Sequence, residues 1–273
     1  MEPAADIEGS QTHLLSVTLH NGPMRWARRG RFGLATRVAC VVAALAVLAS
    51  CSGPRYEYVR NTSLRTAFKV PADWALFDKQ TLLGQTGPQP STPDPIRWLV
   101  GLDGDPQPAA THVLDPSTLN TDYPQGIALV QAYSFDDRDK SSFNALRNYL
   151  FPVDSLLQDP NSAQVLSYDD KIDRNGVRGV HIVFQFRASA LATAQANAQA
   201  AATSGTATDL QRTLLGGTAA SLLSPDYVTV AQTALVSVDT NRVYYIAVLC
   251  SAACYDRNKA DIESTVNSWT VLP

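Results

Sequence analysis

The sequence is poor in the residues that carry most enzyme chemistry. Histidine occurs four times in 273 residues, and His13 and His20 lie in the first 50. Of the remaining two, His112 follows a proline-rich loop and His181 sits on the non-core phase of its strand. Both read as ordinary surface or partly buried residues rather than general bases. There is no Gly-x-Ser-x-Gly elbow and no Ser-x-x-Lys opening a helix, which removes two common serine-nucleophile arrangements. Gly216-Gly217 is not followed by Lys-Ser or Lys-Thr, so no phosphate loop is present. Asp173-Arg174-Asn175-Gly176 matches the middle of a calcium loop, but Lys171 and Ile182 would then stand where oxygen ligands are required. No metal and no cofactor is expected. Charge is scarce as well, at 17% of residues and a net −3. Nothing in that balance gives the clustered lysine and arginine of a nucleic-acid binder, nor a polybasic patch for anionic lipid.

What is present begins before residue 51. The run from Val38 to Ala49 is uncharged and follows Arg25, Arg28, Arg29, Arg31 and Arg37. That is the basic, apolar and small-residue order of a secretory signal. Twelve apolar residues make a helix of about 18 Å, short of the roughly 30 Å hydrocarbon core. Leu48-Ala49-Ser50-Cys51 closes the run and resembles the lipobox of bacterial lipoproteins. That resemblance implies a diacylglycerol on the Cys51 thiol and cleavage before it. Lipid would then hold the chain at the membrane, since two acyl chains anchor stably where one does not. Residues 24–50 are read as the signal. Residues 1–23 carry Glu2, Asp6 and Glu8, acids unusual in such a leader, and read as an over-extended gene start. Arg28-Arg29 could be a twin-arginine signal, but Phe32 comes one residue too late. Residues 51–62 read as a polar tether. Residues 1–50 hold five of the 22 basic and three of the 25 acidic residues, so removing them leaves a net charge of −5.

With Cys40 in the apolar run and Cys51 lipidated, Cys250 and Cys254 remain. In an exported chain, a lone close pair reads as a local disulfide. A redox pair ordinarily has two intervening residues rather than three, and no second pair or nearby histidine completes a zinc site.

From residue 63 onward the chain reads as a single domain. Ala67 to Pro71 is a short strand, and Asp73-Trp74 a turn with a buried aromatic. Half of the sixteen prolines fall in residues 80–126, which forbids a long helix there. Within it Ile96 to Val100 is a strand, and Ile127 to Phe135 a stronger one. Ser141-Ser142 opens a helix with Phe143, Leu146 and Leu150 on one face, which Pro152 ends or restarts. Val165 to Ile172 and Gly179 to Arg187 flank Asn175-Gly176, a strong hairpin signal. Val180, Ile182, Phe184 and Phe186 form the core phase of the second strand. Residues 188–225, alanine-rich at first, read as an insertion without a bulky stripe. Tyr227 to Asp239 is a strand with Thr240-Asn241 at the turn. The unbroken apolar run Val243 to Cys250 fits a central strand covered on both faces. A helix from about Asp256 to Ser268 follows, with Ile262, Val266 and Trp269 on its apolar face.

The lipobox, Phe68-Lys69-Val70-Pro71-Ala72-Asp73-Trp74, the Asn-Gly hairpin, Val243-Tyr244-Tyr245-Ile246 and Ser268-Trp269-Thr270-Val271 occur in an order that resembles the PsbP-like lipoproteins of actinobacteria. The resemblance covers about residues 62–273. It implies an α+β fold, a three-layer α/β/α sandwich around a mostly antiparallel sheet, and it brings no catalytic residues. The resulting expectation is a non-catalytic binding or accessory lipoprotein on the extracytoplasmic face of the cell membrane. Its ligand could be protein, glycan or lipid, but not nucleic acid. The alternative is an envelope hydrolase whose carboxylates, Asp136, Asp137, Asp139, Asp169, Asp170 and Asp173, are brought together by folding. All six sit in turn-like sequence, where aspartate is expected for its capping role.

Overall fold

Strands whose two side-chain phases are both apolar need cover on both faces, and here they receive it. The computed structural model describes residues 55–84, 95–114, 121–133, 142–174, 176–191, 193–194, 227–239 and 241–272. Ten strands are described: β1 Tyr56–Asn61, β2 Thr66–Pro71, β3 Ala75–Asp78, β4 Ile96–Asp103, β5 Gln125–Ala132, β6 Ala163–Arg174, β7 Val177–Arg187, β8 Tyr227–Val236, β9 Arg242–Ser251 and β10 Thr270–Val271. The helices that join them include α1 Lys79–Leu83, α2 Ala110–Leu114, α3 Phe143–Arg147, α4 Val153–Leu156 and α5 Ala252–Val266. A seven-stranded sheet has the order β3-β4-β5-β9-β8-β7-β6, and a small sheet the order β1-β2-β10. Every described strand pairing is antiparallel. The fold is therefore α+β around an antiparallel sheet, as the resemblance implied.

The β9 run lies at the centre of the large sheet. Its alternate residues feed two cores: Tyr245 and Ala247 face one, and Tyr244, Ile246 and Val248 the other. The first core is closed by α3 and α4 through Leu146 and Leu156, and by Phe151 in the link between them. The second is closed by α5 through Ile262 and Val266, and by the small sheet through Phe68 and Val70. Trp269 joins the two sheets, stacked on Phe68 at 5.2 Å and against Tyr244 at 6.3 Å. One outer layer is thus helical. The other combines a helix with three short strands, an addition to the plain α/β/α arrangement.

Four boundaries differ from the sequence reading. Residues 56–61 are strand β1 rather than tether, pairing with β2 along its whole length. Alternate polar residues satisfy an edge strand with one wet face, so no apolar run marks it. The supposed insertion begins later than 188, because 188–191 and 193–194 are helical and Ala188, Leu191 and Ala194 are buried in the first core. Small alanines fill space close to the sheet without leaving a bulky stripe in the sequence. Helix α5 starts at Ala252, not Asp256, because the Ser251 hydroxyl accepts from the Cys254 amide at 3.2 Å and caps it. The expected helix from residue 142 to 150 is cut at Asn148, whose side chain turns back to Asn144 O and Asp154. Residues 1–54, Asp136, Asp137, Asp139 and 195–226 lie outside the described residues, and with them Cys51 and most of the insertion.

Candidate functional site

Cys250 ends the covered part of β9, and Cys254 occupies the first turn of α5. A continuing strand would hold them about 13 Å apart at roughly 3.3 Å per residue. The capped start of α5 at Ser251 brings their Cα atoms to 5.9 Å, and a disulfide joins them. Both cysteines are fully buried. The bond pins the corner at which the central strand turns into the helix.

The acids proposed for hydrolysis are not assembled where they are described. Asp169 accepts from Lys171 N and Asp173 from Gly176 N, each serving its own bulge or turn on β6. Among the described residues no group of three or more His, Cys, Asp or Glu could hold a metal ion. The acid that does meet a histidine is Asp103, which the sequence reading did not single out. Its carboxylate is fully buried at the end of β4 and accepts from Asp105 N, Ala109 N and the His112 ring at 2.9–3.0 Å. It ties down the loop between β4 and α2. Aspartate two residues before a backbone donor, Asp103 ahead of Asp105, was the available sequence signal.

His181, expected on the non-core phase as a surface or partly buried residue, is buried, and its ring meets Thr233 Oγ1 on β8 at 3.0 Å. The sheet has cover on both faces there, so the non-core phase is interior too. Below α3, Tyr149 donates to Gln131, while Tyr245 donates to Gln232 Oε1 at 2.7 Å. The Gln232 amide in turn donates to Arg147 O at 2.7 Å. Burial holds both phenols well above their ordinary range. These are satisfied core groups that fix α3 on the sheet.

Among the described residues, cations and aromatic rings gather on the outer face of the small sheet. Phe68 and Val70 point inward, so Lys69 points outward, as does its cross-strand partner Tyr58, which is 65% exposed. Tyr56 and Arg60 share that phase of β1. Arg60 lies over the Tyr58 ring at 5.7 Å, and Lys69 and Arg55 over Tyr56 at 4.7 and 5.4 Å. Arg55 pairs with Asp261 at 2.8 Å, and the same carboxylate accepts from the Tyr56 hydroxyl, which holds that phenol above its usual range. Arg65 stands at the hairpin turn with φ 51°. The acidic balance of the chain pointed away from any basic patch. Spaced four or five residues apart, these cations make no run, and it is the hairpin that collects them.

No protein-family model matches the chain, and no curated protein matches it by sequence. In three dimensions it is similar to the solution structure of the cyanobacterial PsbP protein CyanoP from Synechocystis sp. PCC 6803. That likeness has 10% identity and a TM-score of 0.36, over 81% of this chain and 95% of that one. It is also similar to the Saccharomyces cerevisiae Ran-binding protein Mog1p, with 11% identity and a TM-score of 0.39, over 81% and 97% of the two chains. The architecture given above rests on the strand pairings themselves.

Proposed function

We propose that the protein is a PsbP-like lipoprotein of the actinobacterial type, held by lipid on Cys51 at the extracytoplasmic face of the cell membrane. There it serves as a non-catalytic binding or accessory protein. The observation that carries this reading is the order of five arginines, an uncharged run and Leu48-Ala49-Ser50-Cys51. The Cys250–Cys254 bond supports it independently, because structural disulfides persist in oxidising compartments outside the cytosol. The local use of Asp169 and Asp173 favours binding over carboxylate hydrolysis. Growth with a labelled fatty acid tests the anchor: label should enter the wild type and not Cys51→Ser. Equal labelling of both would remove the proposal.

A further inference from the structure

We propose that the outer face of the small sheet, Tyr56, Tyr58, Arg60 and Lys69 with Arg65 at its turn, docks the domain flat on an anionic lipid surface. The inference rests on the anchoring of Cys51 proposed above. Three observations converge on it. The first is charge: residues 55–69 hold Arg55, Arg60, Arg65 and Lys69 against the single acid Glu57, in a mature chain that is otherwise acidic. Asp261 neutralises Arg55, whereas Arg60, Arg65 and Lys69 make no ion pair among the described residues. A domain with net negative charge thus turns one cationic face outward, and anionic headgroups complement it.

The second is the chemistry of the face. Tyr58 is the most exposed aromatic of the described residues, and a cation stands over its ring. Tyrosine and arginine side by side suit the headgroup level, where a ring can sit at the interface while the cation meets phosphate. The third is reach. Only Ser52-Gly53-Pro54 separates Cys51 from Arg55, and four Cα steps span at most about 14 Å. β1 begins at the next residue. The anchored end of the chain therefore leads directly into this face. Each basic residue near such a surface adds about a fivefold preference, so three of them favour the docked state by about a hundredfold.

The test uses the processed lipoprotein purified from its expressing membranes. It is placed in vesicles of phosphatidylcholine alone, or with one third phosphatidylglycerol. Amide hydrogen exchange of residues 56–65 should slow at least about fivefold on the anionic vesicles relative to the zwitterionic ones. The triple variant R60E/R65E/K69E should remain with the vesicles and lose that slowing. Equal exchange on both vesicle types, or slowing that survives in the triple variant, overturns the docking face. The anchor is scored separately by flotation: a wild type that does not float with vesicles, or a Cys51→Ser protein that floats as well as wild type, overturns the anchor instead.

Discussion

Replacing Trp269 by alanine should loosen the small sheet from the large one before it does anything else. The indole is 1% exposed and is the shared neighbour of Phe68 on β2, Trp98 on β4 and Tyr244 on β9, at 5.2, 5.9 and 6.3 Å. Truncating a buried tryptophan costs about 3–5 kcal/mol, transfer and cavity terms together. That is a large part of the roughly 5–15 kcal/mol that holds a domain folded. The site has little freedom to collapse, because Ser268 bonds to Lys69 on one side of Trp269 and β10 pairs with β2 on the other. With a urea slope of about 2 kcal/mol per molar, the midpoint should fall by about 2 M. Phe68→Ala alone should also destabilise. The double variant should be less damaged than the sum, by about 0.5–1.5 kcal/mol for the lost stacking. Far-ultraviolet circular dichroism in urea gives the midpoints, and native-state exchange of β1 amides shows whether the small sheet opens first. A midpoint shift under about 0.5 M, or additive single variants, would refute the view that Trp269 bridges the sheets.

Leu191→Ala should cost about 2–5 kcal/mol, since Leu191 is 1% exposed in the first core; a change near zero in chemical denaturation would return residue 191 to the insertion. Cys250→Ala with Cys254→Ala should lower stability by only about 2 kcal/mol, the chain-entropy value for so small a loop; loss of cooperative unfolding would show that the bond decides the fold. Burial raises the Tyr149 and Tyr245 phenols above the ordinary value of about 10, so their contribution is complete below pH 10 and is lost as pH rises past it. Stability measured from pH 9 to 11 should fall by up to about 2.7 kcal/mol per unit for the two groups, and about half as steeply in Tyr245→Phe. A flat alkaline profile would contradict this.

The central strand was readable because β9 is apolar on both phases, a pattern that only an interior strand tolerates. The β6–β7 hairpin was readable because its turn needs a positive φ, which Gly176 supplies at 78°. The Cys250–Cys254 corner followed from the spacing of the pair and the expectation of export. What escaped the sequence reading was set by partners distant in the chain. β1 carries almost no periodic apolar signal, and its pairing is dictated by β2. Ala188 and Ala194 look like low complexity until the sheet beneath them is known. His181 alternates away from Ile182 and is still buried, on the phase through which Val183 joins the second core. The cationic face was hidden for a related reason: Arg60 and Lys69 are nine residues apart, and antiparallel pairing puts them on one surface.

Intact-mass analysis of the protein purified from the cells that make it tests the account most directly, because it reads the anchor and the corner in one spectrum. The account requires a chain that starts at Cys51, carries the added mass of diacylglycerol, and gains two alkylatable thiols only after reduction. A chain that starts elsewhere and lacks lipid mass, or one whose Cys250 and Cys254 alkylate without reductant, would contradict it.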